Sequence, residues 1–178
     1  PSGGKSLWGS GFLPSVHQGV QCRTEGAPIL YANNPKGMNR ATRRRSLDAL
    51  RDLNERQFKQ FGDPETESRI EQYELAYRMQ MEVPALMDLS AEPEYLKEAY
   101  GFNHSWNGTK TCARSCMTAR RLVERGGRVI ELTCPGGSVD RWDQHGKLRD
   151  VHTKNARSVD QPIGTLLKDL KQRGLLNE

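Results

Sequence analysis

The sequence predicts an α/β chain rich in helix, and two observations carry that expectation. Apolar residues recur at three- and four-residue steps in four separate stretches, whereas the short run Arg128 to Thr133 is β-branched and apolar and follows a Gly-Gly pair. A switch of hydrophobic period between neighbouring segments marks a chain that alternates helix with strand. The 178 residues suffice for one domain with a real core.

Residues 1–38 are rich in Gly, Pro, Asn and Ser and read as an irregular leading segment that needs a scaffold. From Arg40 to Phe61 the pattern is helical, with Leu47, Leu50, Leu53, Phe58 and Phe61 toward one side, and Gly62-Asp63-Pro64 stops it. A second helix is expected over about 65–82, where Ile70, Tyr73, Ala76, Tyr77 and Met81 form a core stripe that Pro84 ends. After the turn Ser90-Ala91-Glu92-Pro93 comes a short helix through Tyr100, and residues 101–110 read as polar loop; 39–110 together look like a helical insertion.

Residues 111–178 then read as helix, strand, loop and helix of a core. The helix at 111–125 carries Cys112, Cys116, Ala119 and Val123 and closes on Gly126-Gly127; the strand is 128–133; the final helix, about 158–173, places Val159, Ile163, Leu166, Leu167 and Leu170 on one face. Between strand and helix lies a loop, Cys134 to Gly146, and loops leaving the carboxyl ends of strands are where α/β sheets bind ligands.

The formal charge of +5 is a mild excess of 27 Lys and Arg over 22 Asp and Glu, and a mean hydropathy of −0.79 suits a water-soluble chain. The basic cluster Lys36, Arg40, Arg43, Arg44 and Arg45 runs into Asp48, Asp52 and Glu55, the mixed signs of a solvated helix face, so no nucleic-acid partner is expected. No membrane span is expected either, because no run of ~20 apolar residues occurs. Four cysteines occur without a C-x-x-C pair, and Cys112 and Cys116, one helical turn apart, read as buried thiols. Motifs for a serine-hydrolase elbow, a Walker loop, a dinucleotide fold or a zincin are missing from the sequence.

The chemistry-bearing segment is Trp142-Asp143-Gln144-His145-Gly146. Asp143 and His145 offer a carboxylate and an imidazole, donors that Zn and Mn accept, though two donors do not complete a site. The plainer reading makes Asp143 a turn cap and His145 a surface histidine. A zinc site from Cys112, Cys116, Cys134 and His145 lacks finger-like spacing. His17, His104 and His152 are isolated among polar residues and read as ordinary surface.

Five segments bring a family into view: Trp8-Gly9-Ser10-Gly11-Phe12-Leu13-Pro14-Ser15-Val16-His17-Gln18-Gly19; Tyr73 to Gln80 with Asp88-Leu89-Ser90; Ala119 to Gly126; Trp142 to Gly146; and Asp160-Gln161-Pro162 with Leu167 to Leu176. Together they resemble the bacterial domain of unknown function 1501 family, often labelled sulfatase-like. The resemblance implies one alkaline-phosphatase-like domain over 1–178, of which this chain would be an internal, helix-rich fragment holding part of the sheet with flanking helices. It implies export to the periplasm or beyond behind a leader, and hydrolysis of sulfate or phosphate esters, such as those of a sulfated polysaccharide, with a divalent ion (Zn, Mn or Ca). Family members carry a Gly-Gly-Pro-Ser segment upstream and a Gly-Glu-Phe-Gly-Arg segment downstream, so the fragment is expected to lack a complete active site and to be inactive alone. Asp143 and His145 alone carry over, as metal ligands; the hydrolase reading adds Arg141 as a group that orients an anionic substrate. Gly127 stands where the family commonly has Val, which should loosen the turn into the strand. The competing expectation is a non-catalytic binding or structural member of the same fold.

Overall fold

The structure, a computed structural model, describes residues 19–22, 34, 36–63, 66, 73–74, 77, 83, 85–133 and 142–176. It divides into two compact units, Pro1–Ala85 and Leu86–Glu178.

In the first unit, α1 spans Arg40–Phe61. Asn39 starts it: its side chain accepts the Thr42 N–H at 2.8 Å and satisfies one donor of the open first turn. Gly62 ends it in the left-handed region, with its N–H on the Phe58 carbonyl at 2.7 Å. The expected core side is mostly wet. Leu47 is buried, but Leu53 and Phe61 are 61% and 68% exposed. What ties α1 to the rest of its unit is Arg44, whose guanidinium donates to Asp48 at 2.5 and 2.9 Å and to Glu74 at 2.5 and 2.9 Å, and lies 5.0 Å from the Tyr77 ring centroid. That fork holds the Asp48 and Glu74 carboxyls below the usual carboxylate range and pushes Arg44 up. The basic cluster is thus partly spent on acidic neighbours, as mixed signs suggest. Of the helix expected over 65–82, the described positions Thr66, Tyr73, Glu74 and Tyr77 are helical; the remainder lies outside the described residues.

The second unit packs α2 (Glu94–Tyr100), α3 (Asn107–Glu124) and α4 (Leu148–Gln172) around one small core. Leu96 and Tyr100 from α2 meet Ala113, Cys116 and Met117 from α3, with Leu89, Phe102, Cys112 and Leu166 against them. Each fully buried side chain of the Met117 class contributes about 1.5–3 kcal/mol. Cys112 and Cys116 take the core face expected of them, and their sulfurs lie 3.9 Å apart as thiols, not a disulfide.

The α/β expectation, with its partial alkaline-phosphatase-like sheet, is corrected here: the protein is helix-rich, and no strand occurs among the described residues. Arg128 to Thr133 is irregular, with Val129 93% exposed. β-Branched composition favours a strand only where a neighbouring strand completes the ladder. The turn before it is also tighter than the Gly127 reading supposed. Gly126, at φ 85°, donates to the Val123 carbonyl, Gly127 donates to that of Leu122 at 2.9 Å, and a Cβ on Gly127 would stand 2.9 Å from the Leu122 oxygen. Here glycine permits a close backbone approach and does not loosen the turn.

The helices α3 and α4 begin earlier than their periodicity suggests, at 107 rather than 111 and at 148 rather than 158. Polar contacts decide which face α4 buries. It buries Asn155, Ser158, Pro162 and Asp169, while Ile163 and Leu167 from the expected core face are 44% and 50% exposed. Pro162 removes one intrahelical bond, and the turn around it is held from outside. Gln161 and Thr165 donate to the Ala99 carbonyl at 2.9 and 2.8 Å, Trp106 Nε1 donates to Ser158 Oγ at 3.0 Å, and Thr109 Oγ1 donates to the Arg157 carbonyl at 3.1 Å.

Candidate functional site

Trp142 to Lys147 leads directly into the first turn of α4, so the segment sits at a helix N-terminus, and the run 128–133 expected to precede it as a strand is irregular. Trp142 packs edge-on against His152, ring centroids 5.6 Å apart and planes at 75°. Lys147, the N-cap residue of α4, has φ 50°, the one non-glycine in the left-handed region among the described residues. Such a conformation costs a β-carbon-bearing residue roughly 1–2 kcal/mol, so the surrounding contacts hold it.

The two predicted ligands come together. His145 Nε2 and Asp143 Oδ2 are 3.4 Å apart, and their side chains are 86% and 67% exposed. Two donors about 2.1 Å from one tetrahedral zinc ion stand ~3.4 Å from each other, so the pair has a suitable bite. It also suits an ion pair between a carboxylate and a protonated imidazole. No group of three or more His, Cys, Asp or Glu able to hold a metal occurs among the described residues. Cys134 and Arg141 lie outside the described residues, so the four-residue zinc alternative and the substrate-orienting arginine do too. Bound there, a divalent ion would polarise an ester oxygen and activate a nucleophile; this chain's part would be two donors held on an exposed loop.

A second constellation lies between the helices, with Arg120, Glu92 and Asp169 buried at its centre and Glu124 and Arg173 at its wetter edge. Arg120 donates to Glu92 at 2.6 Å and to Glu124 at 2.7 Å, and its Nε lies 3.3 Å from Asp169 Oδ2 without hydrogen-bond alignment. Arg121 reaches Glu92 at 2.6 Å, Arg173 reaches Asp169 at 2.6 Å and Glu124 at 2.5 Å, and the Tyr100 hydroxyl donates to Asp169 at 2.9 Å. Burial pushes the Glu92 carboxyl up, but the Arg120 and Arg121 guanidiniums outweigh it and hold the group below its ordinary value. Burial and the Asp169 carboxylate together raise Tyr100 well above a normal phenol. Three guanidiniums face three carboxylates, so the set closes on itself in charge. Its chemistry is that of a clamp joining α2, α3 and α4, because each carboxylate is engaged by at least one arginine. The i,i+4 pairs Arg120/Glu124 and Asp169/Arg173 were the only signal of it in the sequence.

The family model described as protein of unknown function (DUF1501) matches residues 1–178. The chain belongs to the DUF1501 family. No curated protein and no solved structure matches it. Within this DUF1501 chain, Trp142 to Gly146, one of the five segments that carried the resemblance, is also where the two candidate ligands come within 3.4 Å of each other. No helix among its described residues is long and apolar enough to cross a membrane.

Proposed function

We propose that this chain supplies two cation ligands, Asp143 and His145, to a sulfatase-like hydrolase of the alkaline phosphatase superfamily that cleaves sulfate or phosphate esters outside the cytoplasm. The observation that carries the reading is the 3.4 Å approach of His145 Nε2 to Asp143 Oδ2 on a solvent-exposed loop. An exposed pair with a chelating bite can be completed by donors beyond the described residues, and it leaves room for an anionic ester, such as a sulfated polysaccharide, to reach the ion. Zn, Mn or Ca is the cation class, and Zn suits the bite best. The clamp of arginines and carboxylates serves as the scaffold that fixes α4, from whose N-terminus the loop departs.

Metal analysis and ester hydrolysis test this on protein expressed from its complete reading frame. Asp143→Ala and His145→Ala should each lower metal content and hydrolysis together, because a lost ligand removes charge and geometry at once, while the urea midpoint moves little. Unchanged metal content and activity in both variants would dismiss the pair. A second reading, a non-catalytic binding or structural member of the family, draws on the closed clamp, which commits the buried charges of the helical unit to one another. It expects no stoichiometric metal and no hydrolysis.

A further inference from the structure

We infer that His152 is the positioning residue of the 142–147 loop: through Trp142 it fixes the spacing of Asp143 and His145. The inference rests on the metal-ligand reading above. His152 stands in the second turn of α4, and its Nδ1 lies 3.1 Å from the Leu148 carbonyl. A carbonyl oxygen only accepts, so that contact is a hydrogen bond with the proton on Nδ1, and it sets the plane of the imidazole. Trp142 meets this oriented ring edge-on, the arrangement favoured by aromatic quadrupoles. Asp143 follows Trp142 directly, so the indole determines where the Asp143 backbone begins.

The other end of the loop is fastened to the same helix. The Lys147 carbonyl accepts the Val151 N–H at 3.1 Å while Lys147 itself holds its left-handed conformation. Asp143 and His145 therefore lie on a short bridge whose piers are both on α4, one an aromatic contact and the other a helix cap. A Cβ built on Gly146 would meet nothing within 4 Å, so the side of the loop it faces is open.

The test uses protein expressed from its complete reading frame with Mn2+ as probe, followed by NMR line broadening at the histidine ring protons, with the Trp142 indole N–H resonance as a second, metal-independent readout. His152→Ala should move that indole resonance and weaken Mn2+ binding about tenfold or more, the range typical of partners that orient metal ligands. His152→Phe keeps an aromatic edge partner and should recover the indole shift and much of the affinity. Trp142→Ala should weaken binding at least as much as His152→Ala, and the double variant little more than Trp142→Ala alone, because His152 acts through Trp142. Unchanged affinity in His152→Ala, where Asp143→Ala abolishes binding, would overturn the positioning role and leave the metal reading intact. Binding that Asp143→Ala and His145→Ala leave untouched, or no binding to the parent chain, would overturn both. Far-UV circular dichroism of each variant should match the parent, and a variant that loses helix is replaced by His152→Gln, for which the same outcomes apply.

Discussion

Glu92→Gln is the sharpest probe of what holds the helical unit together. The change keeps the side chain's shape and removes the negative charge that faces Arg120 and Arg121, each at 2.6 Å. Arg120 is only 3% exposed at its side chain, so water cannot replace the lost charge. Removing one partner of a buried pair costs about 3–5 kcal/mol. The lower end applies, because Arg120 keeps Glu124 at 2.7 Å and the glutamine oxygen still accepts one hydrogen bond. Set against roughly 0.05–0.15 kcal/mol per residue for a domain, a loss of about 3 kcal/mol is a large share of the unit's stability. At ~4–8 °C per kcal/mol for a unit of this size, Tm should fall by about 12–24 °C. Urea unfolding supplies the assay, followed by tryptophan fluorescence, since the Trp106 indole bonds Ser158 and reports the α3–α4 joint directly. A loss under about 1 kcal/mol, the range of exposed pairs, would refute the claim that Glu92 and Arg120 form a desolvated pair.

Acid should loosen the same clamp. Because the folded state holds Glu92 below its ordinary value, the unfolded chain binds more protons at low pH; the stabilisation is complete above about pH 4.3 and is lost as pH falls through the folded value. Urea midpoints measured from pH 6 down to pH 3 should decline, and less steeply in Glu92→Gln; a flat profile in the parent chain contradicts the assignment. Gly101→Ala should cost at least about 1–2 kcal/mol, since φ is 98° there and the new Cβ would meet Thr109 Cγ2 at 3.0 Å and the Gln161 side chain at 3.3 Å, whereas Gly146→Ala, with open space, should stay within about 0.5 kcal/mol. Equal denaturation midpoints for the two alanine variants would show that the junction between α2 and α3 is less tightly packed than described.

Elements whose causes are local were legible. The bounds of α1, 40–61, follow from Asn39 and Gly62, each acting within one turn of the helix end it sets. The core face of Cys112 and Cys116 followed from spacing alone. The run at 128–133 misled because a strand is stabilised by a neighbour, which composition cannot supply. At the candidate site, residue types pointed to Asp143 and His145, which the fold brings within 3.4 Å of each other, but could not place their loop at the N-terminus of α4 or reveal the contact of Trp142 with His152, ten residues away in sequence.

The face of α4 that turns inward is the plainest case of a long-range cause. Hydropathy assigns the core to Val159, Ile163, Leu166, Leu167 and Leu170, yet the helix buries Asn155, Ser158, Pro162 and Asp169. Each polar group needs a partner before burial becomes tolerable, and the partners of Ser158 and Asp169 arrive from far along the chain: Trp106, 52 residues before Ser158, and Tyr100, 69 residues before Asp169. Without those partners the apolar stripe would be the cheaper face to bury, at about 25 cal/mol per Å². With them, a neutral set of three arginines and three carboxylates fixes the rotation of α4 and leaves Ile163 and Leu167 half in water. The rotation of α4 about its own axis also sets where its N-terminus, and therefore the Trp142 to Lys147 loop, emerges, so the clamp and the exposed Asp143–His145 pair belong to one structural chain of cause.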